Sequence, residues 1–173
     1  MPTRKITSEG YFRTLLILWA AMLMSHLSIS GVSIYLYFMG ELPPSDPETA
    51  MPLIYALAGV GAGCLGAAVV LGNSLIVKAA DKPTLKEKLS GFQTASILRF
   101  ALLEAPSIMG LVGVMLTGEL LFLTASAVSA MTLLAFRPSK QRAIEGLRLS
   151  GDELRLVEDP RAVVMEVEVT SAD

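Results

Sequence analysis

Two charged residues interrupt an otherwise apolar stretch that runs from Phe92 to Leu116, namely Arg99 and Glu104. A charge at the centre of a helix in lipid costs roughly 2.5–3.5 kcal/mol, so each needs a partner or a purpose. A carboxyl isolated in a low-dielectric surrounding tends to be protonated near neutrality and can carry and release that proton. Glu104 is therefore the candidate ion-binding residue. Arg99 lies five residues earlier, about 140° around a helix. An ion pair on one helix face wants a spacing of three or four, so the two are not placed to pair along the helix. Either Arg99 snorkels toward water on its long stem, or both charges turn inward and meet polar groups of neighbouring helices. Pro106 removes the amide that would bond the Leu102 carbonyl, which predicts a kink beside the acid.

His26, the only histidine, sits in the first apolar run among Ser25, Ser28, Ser30 and Ser33. Serines hydrogen-bond across helices in bilayers, so this polar stripe is expected to face the bundle interior. His26 is a candidate charge partner of Glu104, as one end of a proton relay. The alternative is a buried imidazole satisfied by serines or backbone. Other chemistry is scarce. With a single cysteine, Cys64, no intrachain disulfide or CxxC site can form. One histidine and no carboxylate cluster leave no metal site, and no cofactor is expected. No nucleophile–base pair or phosphate loop stands in a working position, so an enzyme is not expected. A net charge of −2 argues against non-specific nucleic-acid binding.

The elements that must hold these residues are written in the hydropathy. Apolar residues make up 53% of the chain and charged residues 17%, against about 25% charged in soluble domains. Four apolar runs predict an all-α, polytopic membrane protein with spans at about 14–40, 51–77, 92–116 and 120–136. The last is the shortest. A proline-rich turn (Glu41 to Ala50), a basic loop (Lys78 to Gly91) and a tight turn (Thr117, Gly118, Glu119) separate them. Arg4, Lys5 and Arg13 precede the first run, Lys78, Lys82, Lys86 and Lys88 follow the second, and Arg137, Lys140 and Arg142 follow the fourth. The alternate loops carry only Glu41, Asp46, Glu48 and Glu119. Lys and Arg mark the cytoplasmic side, so both termini are expected there, in a multi-pass protein of the inner (cytoplasmic) membrane. Residues 1–13 then form an N-terminal tail, 14–138 the transmembrane domain, and 139–173 a loosely ordered C-terminal tail. Ile144, Leu147, Leu149, Leu154 and Leu156 could lay a short helix on the membrane surface. Val163 to Val169 alternates like a strand, with no neighbouring strand to pair with.

Within the second run, Gly59, Gly61, Gly63 and Gly66 form a helix-packing face, with Gly59 and Gly63 spaced as GxxxG. Such a face can seat a neighbouring helix of the same chain or one of a second copy. The stretch GAGCLG has the letters of a dinucleotide fingerprint, but it lies inside an apolar run without the strand and turn that the fingerprint needs.

Residues 53–116 resemble the proteolipid c-subunit of rotary ATP synthases in three features: GVGAG, the polar loop ADKP, and ALLEAPSIMGLV with its mid-span Glu104. The resemblance implies that Glu104 binds the transported proton or sodium ion, that Gly59, Gly61 and Gly63 pack hairpins into a ring, and that the loop is cytoplasmic. Here the hairpin is flanked by further helices, and Arg99 has no counterpart in that family. The whole chain, with RFALLEAP and RPSK, is also similar to small uncharacterised bacterial membrane proteins with four spans, a likeness that implies no activity. Two functional expectations follow. The first is a structural or accessory membrane component in which Arg99 and Glu104 stabilise the bundle or dock a membrane-complex partner. The second is proton or sodium translocation through Glu104 in a homo-oligomer. The lipid bilayer is the partner common to both.

Overall fold

The computed structural model describes residues 3–168. A strand β1 (Thr3–Thr7) leads into three long helices, α1 (Ser8–Met39), α2 (Pro47–Ala80) and α3 (Leu85–Thr117). A 3-10 turn (Leu120–Phe122) opens α4 (Leu123–Ala135), followed by α5 (Lys140–Gly146), α6 (Gly151–Glu158) and β2 (Val163–Glu168). The three long helices have 32, 34 and 33 residues, and each is long and apolar enough to cross a membrane. The fourth expected span is helical over only 13 residues after its 3-10 turn. At about 1.5 Å per residue α4 measures roughly 20 Å, short of the ~30 Å hydrocarbon core.

The ends of the long helices have local causes. At the close of α1, Gly40 adopts a φ of 71°, and the amides of Gly40 and Glu41 bond the carbonyls of Tyr37 and Leu36 at 3.1 Å each. This is a Schellman cap, which a residue with a Cβ would strain. Asp46 caps α2 ahead of Pro47: Oδ1 accepts from the Glu48 amide at 3.1 Å and Oδ2 from the Thr49 hydroxyl at 2.6 Å. At α3, the Thr84 hydroxyl accepts from the Glu87 amide and donates to its carboxylate. These two caps start α2 and α3 well before the apolar runs do. The basic stretch Lys78 to Gly91, expected as a loop, is therefore mostly helix, with only residues 81–84 between α2 and α3.

The chain forms two compact units, and α1, α2 and α3 each contribute residues to both. The terminal unit is built from Met1–Leu18, Leu71–Ile97 and Pro138–Asp173. Here the C-terminal tail, expected to be loosely ordered, holds two helices and a strand. β1 and β2 pair antiparallel, with Lys5 opposite Glu166 and Ile6 opposite Met165, so the strand left without a neighbour finds one at the other end of the chain. Residues 169–173, including Val169, lie outside the described residues. Leu147, Leu149 and Val157 are buried with Tyr11, Leu15, Ala79, Leu89 and Phe92 in one core. Leu147 and Leu149 therefore pack inside the unit, where a membrane-surface helix was expected. Ser8 donates to the Val157 carbonyl and Tyr11 to that of Leu89, both at 2.6 Å, and Lys88 meets Glu153 at 2.8 Å. A methyl at Gly91 would overlap the Ala79 side chain, which sets how closely α2 and α3 approach there.

The apolar unit comprises Trp19–Val70 and Leu98–Arg137. It has two cores: Ala50, Leu57, Val114 and Phe122, and Ala68, Phe100, Leu103 and Leu133 with Trp19 against them. Around them the helices expose large apolar side chains, among them Phe38 (80%), Tyr55 (69%) and Val70 (66%). Water would penalise contiguous apolar surface on this scale, whereas hydrocarbon does not.

Candidate functional site: the polar centre of the apolar unit

Three helices of the apolar unit bring polar side chains to its interior: Ser25, His26 and Ser30 from α1, Arg99, Glu104 and Ser107 from α3, and Ser126 from α4. Arg99 is buried, at 9% exposure, and does not snorkel. Its Nε donates to the Ala68 carbonyl of α2 at 3.3 Å, and its guanidinium lies 4.9 Å from the Phe136 ring centroid, just past the end of α4. The first contact satisfies a donor that burial would otherwise leave costly, and the second sets the charge over a negative ring face. Glu104 is half-buried and turns toward α1, where the Ser25 hydroxyl donates to its Oε1 at 3.1 Å. The rotation of about 140° between the two residues thus sends them to different neighbours. α3 is tied through Arg99 to α2 and the end of α4, and through Glu104 to α1.

His26 is 1% exposed. Its Nδ1 lies 2.7 Å from the Met22 carbonyl, which can only accept, so Nδ1 carries the proton. In the neutral ring Nε2 is then a lone pair. It is buried and has no hydrogen-bond partner among the described residues. Met22 takes Nδ1 and Nε2 has no partner among the described residues, so no hydrogen bond joins His26 to Glu104. The acid is reached by Ser25, one residue along the helix and about 100° around it.

Ser126 is the node of the remaining polar groups. Its hydroxyl accepts from Ser107 at 2.9 Å and from Ser30 at 3.1 Å, and donates to the His26 carbonyl at 3.5 Å. One donor and two lone pairs are the full capacity of a hydroxyl, so this buried group is saturated. Of the serine stripe expected on α1, Ser25 and Ser30 bond across helices, Ser33 folds back onto the Ile29 carbonyl, and Ser28 faces outward. Sequence reasoning did not single out Ser107 and Ser126. Their signal was a serine inside each of two apolar runs, with no spacing to link them.

Trp19 and Arg137 were also missed. The Trp19 indole donates to the Leu133 carbonyl at 2.7 Å, and the Arg137 guanidinium lies 5.7 Å from its ring. The glycine face of α2 divides: a Cβ at Gly61 would meet the Pro106 side chain at 3.9 Å, but among the described residues nothing lies within 4 Å of one at Gly59, Gly63 or Gly66. Among these four, only Gly61 packs against a described residue, and Gly59, Gly63 and Gly66 are exposed. Among the described residues no three His, Cys, Asp or Glu side chains gather as a metal site would require.

The helix lengths and apolar surfaces are those of a helical membrane protein. No family model, no curated protein and no solved structure matches the chain.

Proposed function

We propose that this is a four-span protein of the cytoplasmic membrane, with both termini inside, acting as a structural or accessory component and not as an enzyme. The topology draws support from strand parity. β1 and β2 pair, so the two ends of the chain share one side, and an even number of crossings joins them. Three long helices alone give an odd number, so Leu120–Ala135 supplies the fourth, short as it is. The three segments that carry most of the basic residues are also those that build the terminal unit, in keeping with a cytoplasmic side for all of them.

For the function, the carrying observation is that Arg99 and Glu104, the two charges in the apolar part of α3, are spent on ties to other helices. A group that must exchange an ion with solution gains nothing from that arrangement, whereas a bundle that must hold one geometry in lipid does. The test separates charge from hydrogen bonding at Glu104. Gln keeps the carbonyl oxygen that Ser25 bonds, while Leu loses it. Glu104→Gln is expected to melt close to the parent in detergent, and Glu104→Leu lower, by the ~0.6 kcal/mol typical of such bonds in membranes. Proton or sodium flux in liposomes should be the same for Gln variant and parent. A Gln variant that folds but loses flux sinks the proposal.

One observation favours the second reading, ion translocation through Glu104 in an oligomer: no described residue comes within 4 Å of a Cβ built at Gly59, Gly63 or Gly66. Carbodiimide modification of Glu104 near neutral pH, blocked by sodium or high pH, is the result expected of that reading. A strict monomer in native-like lipid removes its ring form.

A further inference from the structure

We infer that the groove between the end of α2 and the start of α3 binds the headgroup of an anionic glycerophospholipid, with Lys78 and Lys82 on its phosphate; this rests on the membrane reading above. The groove is a cavity of about 440 Å³ inside the terminal unit. It lies beside the closest approach of the two helices, where a methyl at Gly91 would overlap the Ala79 side chain. Lys78 and Lys82 line one side, Glu87, Ser90 and Thr94 the other, and Leu75 lies at the end nearer the apolar run. Only residues 81–84 join the helices, so they run antiparallel and levels can be counted from Ala79 and Gly91. At ~1.5 Å per residue, Glu87 stands about 6 Å toward the connection and Ser90 within about 2 Å of the crossing. Lys78 is also within about 2 Å of it, and Thr94 and Leu75 stand about 5–6 Å toward the apolar run.

Charge and hydrogen bonding select the occupant. Lys78 and Lys82 are exposed and form no ion pair among the described residues, whereas Lys88 is tied to Glu153 at 2.8 Å. The Thr94 hydroxyl is spent on the Ser90 carbonyl at 3.0 Å, while the exposed Ser90 hydroxyl bonds no described residue. Two ammonium groups and a free hydroxyl donor along one groove are what a phosphate accepts from. The one acid of the lining, Glu87, stands at the connection end and accepts from the Thr84 hydroxyl at 2.9 Å. Two lysines against it leave the groove one positive charge in excess. The two sides also change character together. Leu71, Leu75 and Lys78 share a face of α2 at spacings of four and three, and Ser90, Thr94 and Ile97 share one of α3. Leu71 is 47% exposed and Ile97 43%. The surface thus passes from ammonium groups through hydroxyls to bare apolar side chains within about 10 Å, the rise from Lys78 to Leu71. A free phosphate would use the charged end alone, whereas a phospholipid uses both. Basic pockets between membrane helices on the cytoplasmic side are recurrent seats for anionic headgroups.

The test places the full chain in phosphatidylcholine nanodiscs that hold a small share of phosphatidylglycerol with a photoreactive diazirine near the glycerol end of one acyl chain. Mass spectrometry then locates the cross-links. Adducts are expected at Leu71, Leu75 or Ile97, about fivefold more than from phosphatidylcholine carrying the same group, the factor for one positive charge in excess. Lys78→Gln should remove that preference. Lys86→Gln takes the same charge from a side chain outside the lining and should leave it unchanged. Both positions are exposed, so both variants should fold. No adduct at the three apolar positions, or no headgroup preference in the parent, overturns the inference. An equal loss in the two lysine variants would show diffuse attraction to the membrane surface and overturns it too. Glycerol phosphate added in solution should not compete; if it clears the adducts, the groove is a site for soluble phosphates and the lipid is wrong. A chain that does not enter nanodiscs overturns the membrane reading along with the inference.

Discussion

Glycine at position 110 has no substitute, for reasons that differ sharply from those at position 63. A Cβ at Gly110 would lie 2.7 Å from the Phe122 carbonyl oxygen and 3.6 Å from the Ala125 Cβ, so α3 and the start of α4 are in backbone contact there. At Gly63 the same atom meets nothing within 4 Å. Gly110→Leu must push the two elements apart, and overpacking of this kind costs about 1–3 kcal/mol. Gly63→Leu should stay within about 0.5 kcal/mol of the parent, as surface changes do. Thermal melting of the two variants in one detergent reads the contrast directly. Equal losses would mean that Gly63 is covered, and a Gly63 variant that melts normally but loses an oligomer would favour the second functional reading. Arg99 and Glu104 follow the same principle of position over type. Both were legible in the sequence as charges needing partners, but the partners, a backbone carbonyl, an aromatic ring and a serine, carry no pattern a single sequence displays.

At the scale of the element, the helix caps are where pH acts on the fold. The Thr49 hydroxyl and then the Glu48 amide, both bonded to the Asp46 carboxylate, hold its pKa below the ordinary value. A carboxyl depressed on folding contributes stability that is fully present above its unfolded pKa of about 3.9 and lost as pH falls through the lower folded value. The start of α2 should therefore weaken only below about pH 4. Asp46→Asn keeps an acceptor for the Glu48 amide but not the titration. The expected result is a smaller fall in melting temperature between neutral and strongly acid pH than the parent shows, and an identical fall would show that the cap does not titrate with folding. The long elements were legible because a run of more than twenty apolar residues announces itself. Their true starts lie earlier because Asp46 and Thr84 cap them in polar sequence. The segment after Ser139 was not legible. Its helices have 7 and 8 residues, Gly146 and Gly151 interrupt the apolar spacing, and Arg148 takes a left-handed φ of 52° between them. Strand β2 depends on a partner at the opposite end of the chain, and local periodicity cannot register such a partner.

At the scale of the whole molecule, the pairing of β1 with β2 constrains topology more firmly than any hydropathy count. Lys5 and Glu166 are opposite each other, and their side chains meet at 3.9 Å on the exposed surface. Opposed residues in an antiparallel pair have Cβ atoms about 4.5–5.5 Å apart, close to the range a disulfide bridges. Cys64 is the only cysteine, so a Cys64→Ala background makes introduced thiols unambiguous. In that background Lys5→Cys with Glu166→Cys should cross-link under mild oxidation, and Lys5→Cys with Glu158→Cys should not. Single cysteines then read the sides. At Ser45, in the turn between α1 and α2, a membrane-impermeant maleimide should label whole cells. At Lys82, between α2 and α3, it should label only after the membrane is opened. Cross-linking together with this labelling pattern is what four crossings with internal termini require. If the cross-link forms but Ser45 and Lys82 label from the same side, α2 does not cross the membrane, and the even number of crossings must be found elsewhere. If it does not form, the parity argument loses its premise, and Leu120–Ala135 reverts to a short helix with no reason to span.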